Sequence, residues 1–241
     1  MSKNIREAWD IFLEDGLSSL INRGLAKVYR LTLRKIMPRV GYGESNGVLV
    51  VGEGRGRKLF DDLTPTHWYS FPSYLPNYES VEVQGVEKFV NNEDDVIVIG
   101  GGFGVTAVHA AINNGGRGQI TVYEADRERF ENLTEIFEAN GVSDCVEPIF
   151  GQLGNLHIKL DDPAIPSISY EDIPMADIWD MDCEGAEVEI LQNLPYNPSV
   201  ILVETHDNHD EVTDLLESNG YELLEIIRKS EKLTHIRARA T

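Results

Sequence analysis

Residues 96–104 read Val-Ile-Val-Ile-Gly-Gly-Gly-Phe-Gly, and Glu124 follows twenty residues after Gly104. Four consecutive apolar residues describe a strand buried on both faces, as in a parallel sheet. The glycines after it let the chain turn sharply and bring its backbone close to a ligand. A second apolar run, Ile120–Tyr123, ends on Glu124. A carboxylate at that strand end can accept hydrogen bonds from both hydroxyls of a ribose. The unit therefore predicts an adenosine-containing cofactor above the first strand.

Two glycine spacings fit the same stretch. Gly100, Gly102 and Gly104 form G-x-G-x-G, the form usual where S-adenosylmethionine (SAM) binds. Gly102, Gly104 and Ala107 form G-x-G-x-x-A, which suits a dinucleotide such as NAD. Tyr78, Glu79, Gly100, Gly101, Gly102, Phe103, Gly104, Glu124, Ala125 and Asp182 are the expected cofactor contacts.

Outward from this unit, strands and helices alternate. Strands are expected at 95–99, 119–123, 145–150, 176–182 and 199–204. Helices are expected at 83–91, 104–114, 127–140, 186–194 and 209–219. A hairpin of 221–227 and 233–238 closes the chain. This order predicts an α/β fold, a doubly wound, mostly parallel seven-stranded sheet with Rossmann-like topology. Residues 151–172 read as a polar connection containing prolines.

The chain has 241 residues, with 21 Lys and Arg against 41 Asp and Glu, for a net charge of −20. Such a charge argues against nucleic acid as a partner, because phosphate contact needs a basic surface. The acids are dispersed through the chain, which suggests adaptation to a salty cytoplasm, as in halophilic archaea. No apolar run reaches the ~18 residues that a spanning helix needs. No signal-peptide pattern opens the chain. Cys145 and Cys183 show no metal-type spacing and read as reduced core thiols, so the expected location is cytoplasmic.

Three segments are expected: 1–40, a basic amphipathic helical segment; 41–75, a small β-rich cap; and 76–241, the cofactor-binding domain. In the first, Arg23, Lys27, Arg30 and Arg34 share one helical face. Residues 17–39 have two readings, a helix packed on the acidic domain or a peripheral contact with an anionic membrane. In the cap, Gly47–Val51 and Arg57–Phe60 can pair, and a run of aromatics from His67 to Tyr78 either lines a substrate pocket or packs the cap.

The second half separates the two cofactors. Asp182-Cys183-Glu184-Gly185-Ala186-Glu187 follows the apolar strand at 176–182, at the sheet edge where ligands of open α/β folds bind. The strand at 199–204 ends in Glu204-Thr205-His206 at the same rim. Asp182, Glu184 and His206 are the candidate catalytic residues, with His206 the expected base on its ordinary pKa. Glu187 is expected either to join them or to solvate the following helix. Two acids and a histidine can also hold a divalent cation, but no metal is assigned here.

On Val122-Tyr123-Glu124-Ala125-Asp126, Asp182-Cys183-Glu184-Gly185-Ala186-Glu187, Glu204-Thr205-His206 and Gly220-Tyr221, the chain resembles the FkbM family of SAM-dependent methyltransferases over residues 76–226. The resemblance implies the class I methyltransferase fold, SAM as cofactor, and O-methylation of a glycan, lipid-linked sugar or secondary metabolite. Two positions depart from the pattern: Val98 stands where an acid usually precedes the first glycine by two, and Asp180 where the family commonly has Lys. The alternatives are an NAD-dependent oxidoreductase, in which Asp182–Gly185 has no role, and a binding protein that keeps the fold without chemistry. Oligomeric state is not readable.

Overall fold

A computed structural model describes residues 43–50, 78–154 and 165–241. The expected helices of residues 1–40, the strand at 57–60, the membrane contact at 17–39 and the aromatics of 67–74 lie outside the described residues. Residues 45–50 and 76–241 form one compact unit.

The described chain opens on a hairpin, β1 (Gly43–Ser45) and β2 (Val48–Val50). The expected strand at 47–51 thus pairs with residues before it, across the turn at Asn46-Gly47, where both residues have positive φ. Helix α1 (Ser80–Phe89) precedes β3 (Val96–Ile99), α2 (Val105–Asn113), β4 (Ile120–Glu124), α3 (Arg127–Ala139) and β5 (Val146–Phe150). After the connection come β6 (Ile178–Met181), α4 (Glu187–Gln192), β7 (Val200–His206), α5 (His209–Ser218), β8 (Tyr221–Arg228) and β9 (Leu233–Ala240).

These strands form one seven-stranded sheet in the order β5-β4-β3-β6-β7-β9-β8. Neighbours from β5 to β7 are parallel, and β9 runs antiparallel to both β7 and β8. The chain winds outward from β3 to β5, then crosses back to β6. The switch in direction falls between β3 and β6, which opens a crevice above their carboxyl ends.

All four β3 residues are buried because helices cover both faces of the sheet. Ile97 and Ile99 join a core with Trp179, Met181, Ile201 and Val203 that α4 and α5 close with Ile190, Leu191, Val212 and Leu216. Helices α1, α2 and α3 cover the other face. There the α1 residue Gly85 sits against Leu202 and Arg237, and Leu133 of α3 sits near Val122. Truncating one such fully buried aliphatic to Ala should cost about 2–5 kcal/mol.

Polar anchors fix the surroundings of the crevice. Asn46 donates to the Tyr78 carbonyl at 2.8 Å, and Asn140 exchanges hydrogen bonds with the Leu49 backbone at 2.8 and 2.9 Å. The described ends of the connection after β5 are paired to each other. Gln152 donates its N–H to the Pro166 carbonyl at 2.9 Å and accepts from the Ile168 N–H at 2.9 Å. Cys145 and Cys183 are buried free thiols, as expected.

Candidate functional site

The turn after β3 is built by glycine. Positive φ falls on Gly100 (93°), Gly102 (52°) and Gly104 (71°), the three positions of the G-x-G-x-G spacing. At Gly100 a Cβ would lie 1.8 Å from the Asp182 carbonyl oxygen, so only glycine lets β3 and β6 meet there. The Asp182 N–H in turn donates to the Ile99 carbonyl at 2.9 Å. Gly101 and Gly104 serve packing: added Cβ atoms would meet Val122 at 2.7 Å and Phe137 at 3.0 Å.

Beside this turn, Glu124 is buried and its two oxygens accept from the backbone. Gly102 donates to Oε2 at 2.7 Å and Asp126 to Oε1 at 2.6 Å. Burial raises its pKa, and these two hydrogen bonds oppose the rise. The carboxylate is therefore held rigidly at the strand end, with lone pairs left over for a ligand.

A pocket of about 160 Å3 opens here, lined by Tyr78, Glu79, Gly100, Gly102, Glu124, Ala125, Asp182 and Glu184 among others. Of the expected cofactor residues, Gly101, Phe103 and Gly104 do not line it. Phe103 instead packs its ring on Tyr78, with centroids 5.2 Å apart. Sequence reasoning missed Gly151, Gln152 and Leu153, which close one wall. Their signal was available, because they follow β5 on the same carboxyl edge of the sheet.

Among the described residues, five acids line this pocket (Glu79, Glu124, Asp126, Asp182 and Glu184) against one base, Arg129. The Tyr78 hydroxyl hydrogen-bonds Glu79, whose carboxyl is pushed well up by burial. Glu79 and Glu184 also hold positive φ, at 53° and 50°. Non-glycine residues in that region are strained, and such strain concentrates at functional sites.

The missing acid at Val98 has a counterpart one strand away. Val98 is the Cα partner of Asp180 on β6, so the two side chains share a face. Asp180 is buried and hydrogen-bonds Thr106. Burial, then the charges of Glu82 and Asp182, push its carboxyl up to about 8.

Past Asp182 the rim is built by side chains from two strand ends. His206 Nδ1 meets Glu187 Oε1 at 2.8 Å, and Asn208 donates to Glu187 Oε2 at 2.8 Å. The Gly185 N–H also donates to Glu187, at 2.9 Å. Glu187 is thus fully buried and joins the cluster instead of solvating its helix. On its other side, His206 Nε2 lies 3.5 Å from Asp182, 3.6 Å from Glu204 and 3.7 Å from Glu184.

The expectation that His206 has the ordinary pKa of a base does not hold. Burial alone would lower it, but the Glu187 hydrogen bond and the charges of Asp182 and Glu184 outweigh burial and raise it to about 9. The imidazole is a cation at neutral pH in this environment. Asp182 is pushed up to about 7, first by burial and then by Glu204.

Behind this rim lies a second cluster that sequence reasoning missed. Glu82 of α1, His235 of β9 and Lys229 gather on the far side of Glu204. His235 Nε2 is 2.9 Å from Glu204 Oε2, and Lys229 Nζ is 3.4 Å from Glu82. Burial would raise Glu204, but contact with His235, hydrogen bonding with Glu82 and the charge of Lys229 hold it down to about 2.

No protein-family model matches the chain, and no curated protein matches its sequence. Solved structures do match in shape. A protein described as a transferase from Pyrococcus horikoshii aligns at TM-score 0.51 and 14% identity, over 92% of this chain and 98% of its own. A ribosomal protein L11 methylase from Lactobacillus delbrueckii subsp. bulgaricus aligns at 0.50 and 12%, over 67% and 77%. The protein aTrm5, solved with tRNALeu, aligns at 0.53 and 12%, over 85% of this chain and 54% of its own. With the strand order, these likenesses give the chain the class I methyltransferase fold.

Proposed function

We propose that this protein is a SAM-dependent methyltransferase acting on a hydroxyl of a glycan, a lipid-linked sugar or a secondary metabolite. The observation that carries the reading is the charge of the crevice. Five acids against one base, around a turn of G-x-G-x-G form, suit an adenosine ligand that is itself a cation. SAM carries a sulfonium and an ammonium. The diphosphate of NAD would meet the same acids with repulsion.

In this reading Glu124 takes the ribose hydroxyls, and Glu79 with Asp182 faces the methionine end. Asp180, standing beside Val98, places a buried carboxyl, mostly protonated at neutral pH, on the face where the first strand lacks one. SAM supplies the electrophilic methyl group. Transfer of that methyl group to an acceptor oxygen would be an in-line displacement, with S-adenosylhomocysteine as the leaving group. Alignment carries most of such a reaction. The hydroxyl proton passes to Glu184, which lines the pocket with its side chain 43% exposed. His206, held by Glu187, positions Asp182 and Glu184 around the acceptor.

Three features support a polyhydroxyl acceptor over nucleic acid: the resemblance to FkbM methyltransferases, the net charge of −20 and the acids at the rim. That aTrm5 was solved with tRNALeu reports on a protein of the same fold, and the net charge of −20 argues against the same partner here. Among the described residues no helix is long and apolar enough to cross a membrane. The basic face of residues 17–39 keeps a peripheral membrane contact within this proposal.

Calorimetric titration with SAM, S-adenosylhomocysteine and NAD, in molar KCl, tests the reading. Binding of the first two with NAD silent is expected. Binding of NAD alone would replace the methyltransferase by an oxidoreductase, and silence from all three in folded protein would leave a fold without its cofactor.

A further inference from the structure

We infer that Asp182, Glu204 and His206 form a binding site for one divalent transition-metal ion, of the Mn2+ or Zn2+ kind, at the acceptor end of the crevice. One ligand atom from each residue lies within 4.8 Å of the others. The spacing around His206 Nε2 carries the argument. Its three carboxylate neighbours stand at 3.5, 3.6 and 3.7 Å, each too far or misaligned for a hydrogen bond. Atoms that share an ion do not touch each other. Ligands about 2.1 Å from a tetrahedral ion lie roughly 3.4 Å apart.

A second observation points the same way. Asp182 Oδ1 is sealed from solvent and has no hydrogen-bond partner. The Asp182 side chain as a whole is 36% exposed, so that exposure belongs to its other atoms. A sealed, unpaired carboxylate oxygen is costly, and it faces His206 Nε2. The far side of the imidazole is prepared as metal sites require. Nδ1 is fixed on the fully buried Glu187, which is itself held by Asn208 and the Gly185 N–H. A carboxylate behind a histidine sets its tautomer and leaves the other nitrogen to the ion. Oxygen donors with one imidazole suit Mn2+ or Zn2+ better than a soft ion.

The neighbouring triad of Glu82, Glu204 and His235 has a similar set of donors, but it already holds a cation. Lys229 Nζ sits 3.4 Å from Glu82 Oε1 and 3.9 Å from Glu204 Oε2. Glu204 therefore turns Oε2 to Lys229 and His235, and Oε1 toward His206. The ion belongs on the His206 side, where no lysine stands among the contacts of the described residues.

The role of the ion rests on the methyltransferase reading, whereas its binding does not. Bound there, it takes the place of the Nε2 proton of His206 and engages the acceptor oxygen. It lowers that hydroxyl's pKa, and the released proton goes to Glu184, outside the ligand set.

The test is calorimetry of full-length protein, stripped by chelator, titrated with MnCl2 and separately with ZnCl2, with circular dichroism to verify folding. One saturable site per chain is expected, lost in both Asp182→Asn and His206→Gln and kept in Glu82→Gln. Glu187→Gln should weaken it about 10–100-fold, as for a partner behind a ligand. Absence of saturable uptake of either ion by folded protein would overturn the site. So would uptake indifferent to Asp182→Asn and His206→Gln, or uptake lost in Glu82→Gln instead. Uptake of Mn2+ with SAM silent would leave the metal site standing and remove the methyltransferase reading.

Discussion

The two ends of the crevice are built by opposite means. At the adenosine end a single local stretch does the work: glycines of the β3 turn, with Glu124 gripped by two backbone N–H groups at 2.6 and 2.7 Å. At the acceptor end the backbone only delivers side chains, and those from β6, α4 and β7 arrange each other around His206. The first end is rigid by construction. The second is rigid only while its charges balance, so substitutions there should act on chemistry and ionisation before they act on cofactor affinity.

The largest test of that difference is His206→Ala. Turnover should fall by roughly 10²–10⁴-fold, because Asp182 and Glu184 lose the group that positions them around the reacting oxygen, while SAM affinity stays unchanged in calorimetry. Equal losses in both would mean the two ends are one unit. At the adenosine end, Glu124→Ala should weaken SAM binding by about 1.5–3 kcal/mol, as for lost charge-assisted hydrogen bonds. If turnover at saturating SAM fell by as much as the affinity, the division would fail from the other side.

The last prediction concerns ionisation. Asp180 has a folded pKa of about 8 against an ordinary 3.8. A raised pKa stabilises the fold fully below the unfolded value and is lost as pH rises through the folded one. Chelator-treated protein should therefore lose stability between about pH 4 and pH 8. Asp180→Asn should match it near pH 4 and lose less by pH 8 in urea denaturation. Parallel curves would show that burial of Asp180 does not govern this limb.

The same contrast decides what could be read in advance. Runs such as Val96–Ile99 and Ile120–Tyr123 are local and apolar, so the sheet and the Glu124 position were legible from spacing. The edges of the elements shifted by one to three residues, the most at the start of α1, expected at 83 and found at Ser80. The gathering of Asp182, Glu184 and His206 at one rim was legible because each stands at or just past a strand end. Their chemistry was not, since the pKa of His206 depends on Glu187 arriving from a neighbouring helix. Glu82, Lys229 and His235 left no local trace. Glu82 lies amid the valines of a helix stripe and His235 in a hairpin strand, and only the sheet order brings them to Glu204. The acid lost at Val98 was equally hidden, because Asp180 lies more than eighty residues on and is its neighbour only through β3–β6 pairing.

The contact between Gly100 and the Asp182 carbonyl has a consequence for how such a protein diversifies. It ties the donor loop to the first acceptor residue through main chain alone, at the ~4.8 Å pitch of adjacent strands. No side-chain replacement can lengthen or shorten that span. Drift in sequence can therefore reshape what covers the crevice, while, in the proposed methyl transfer, the interval between donor and acceptor stays inherited with the sheet.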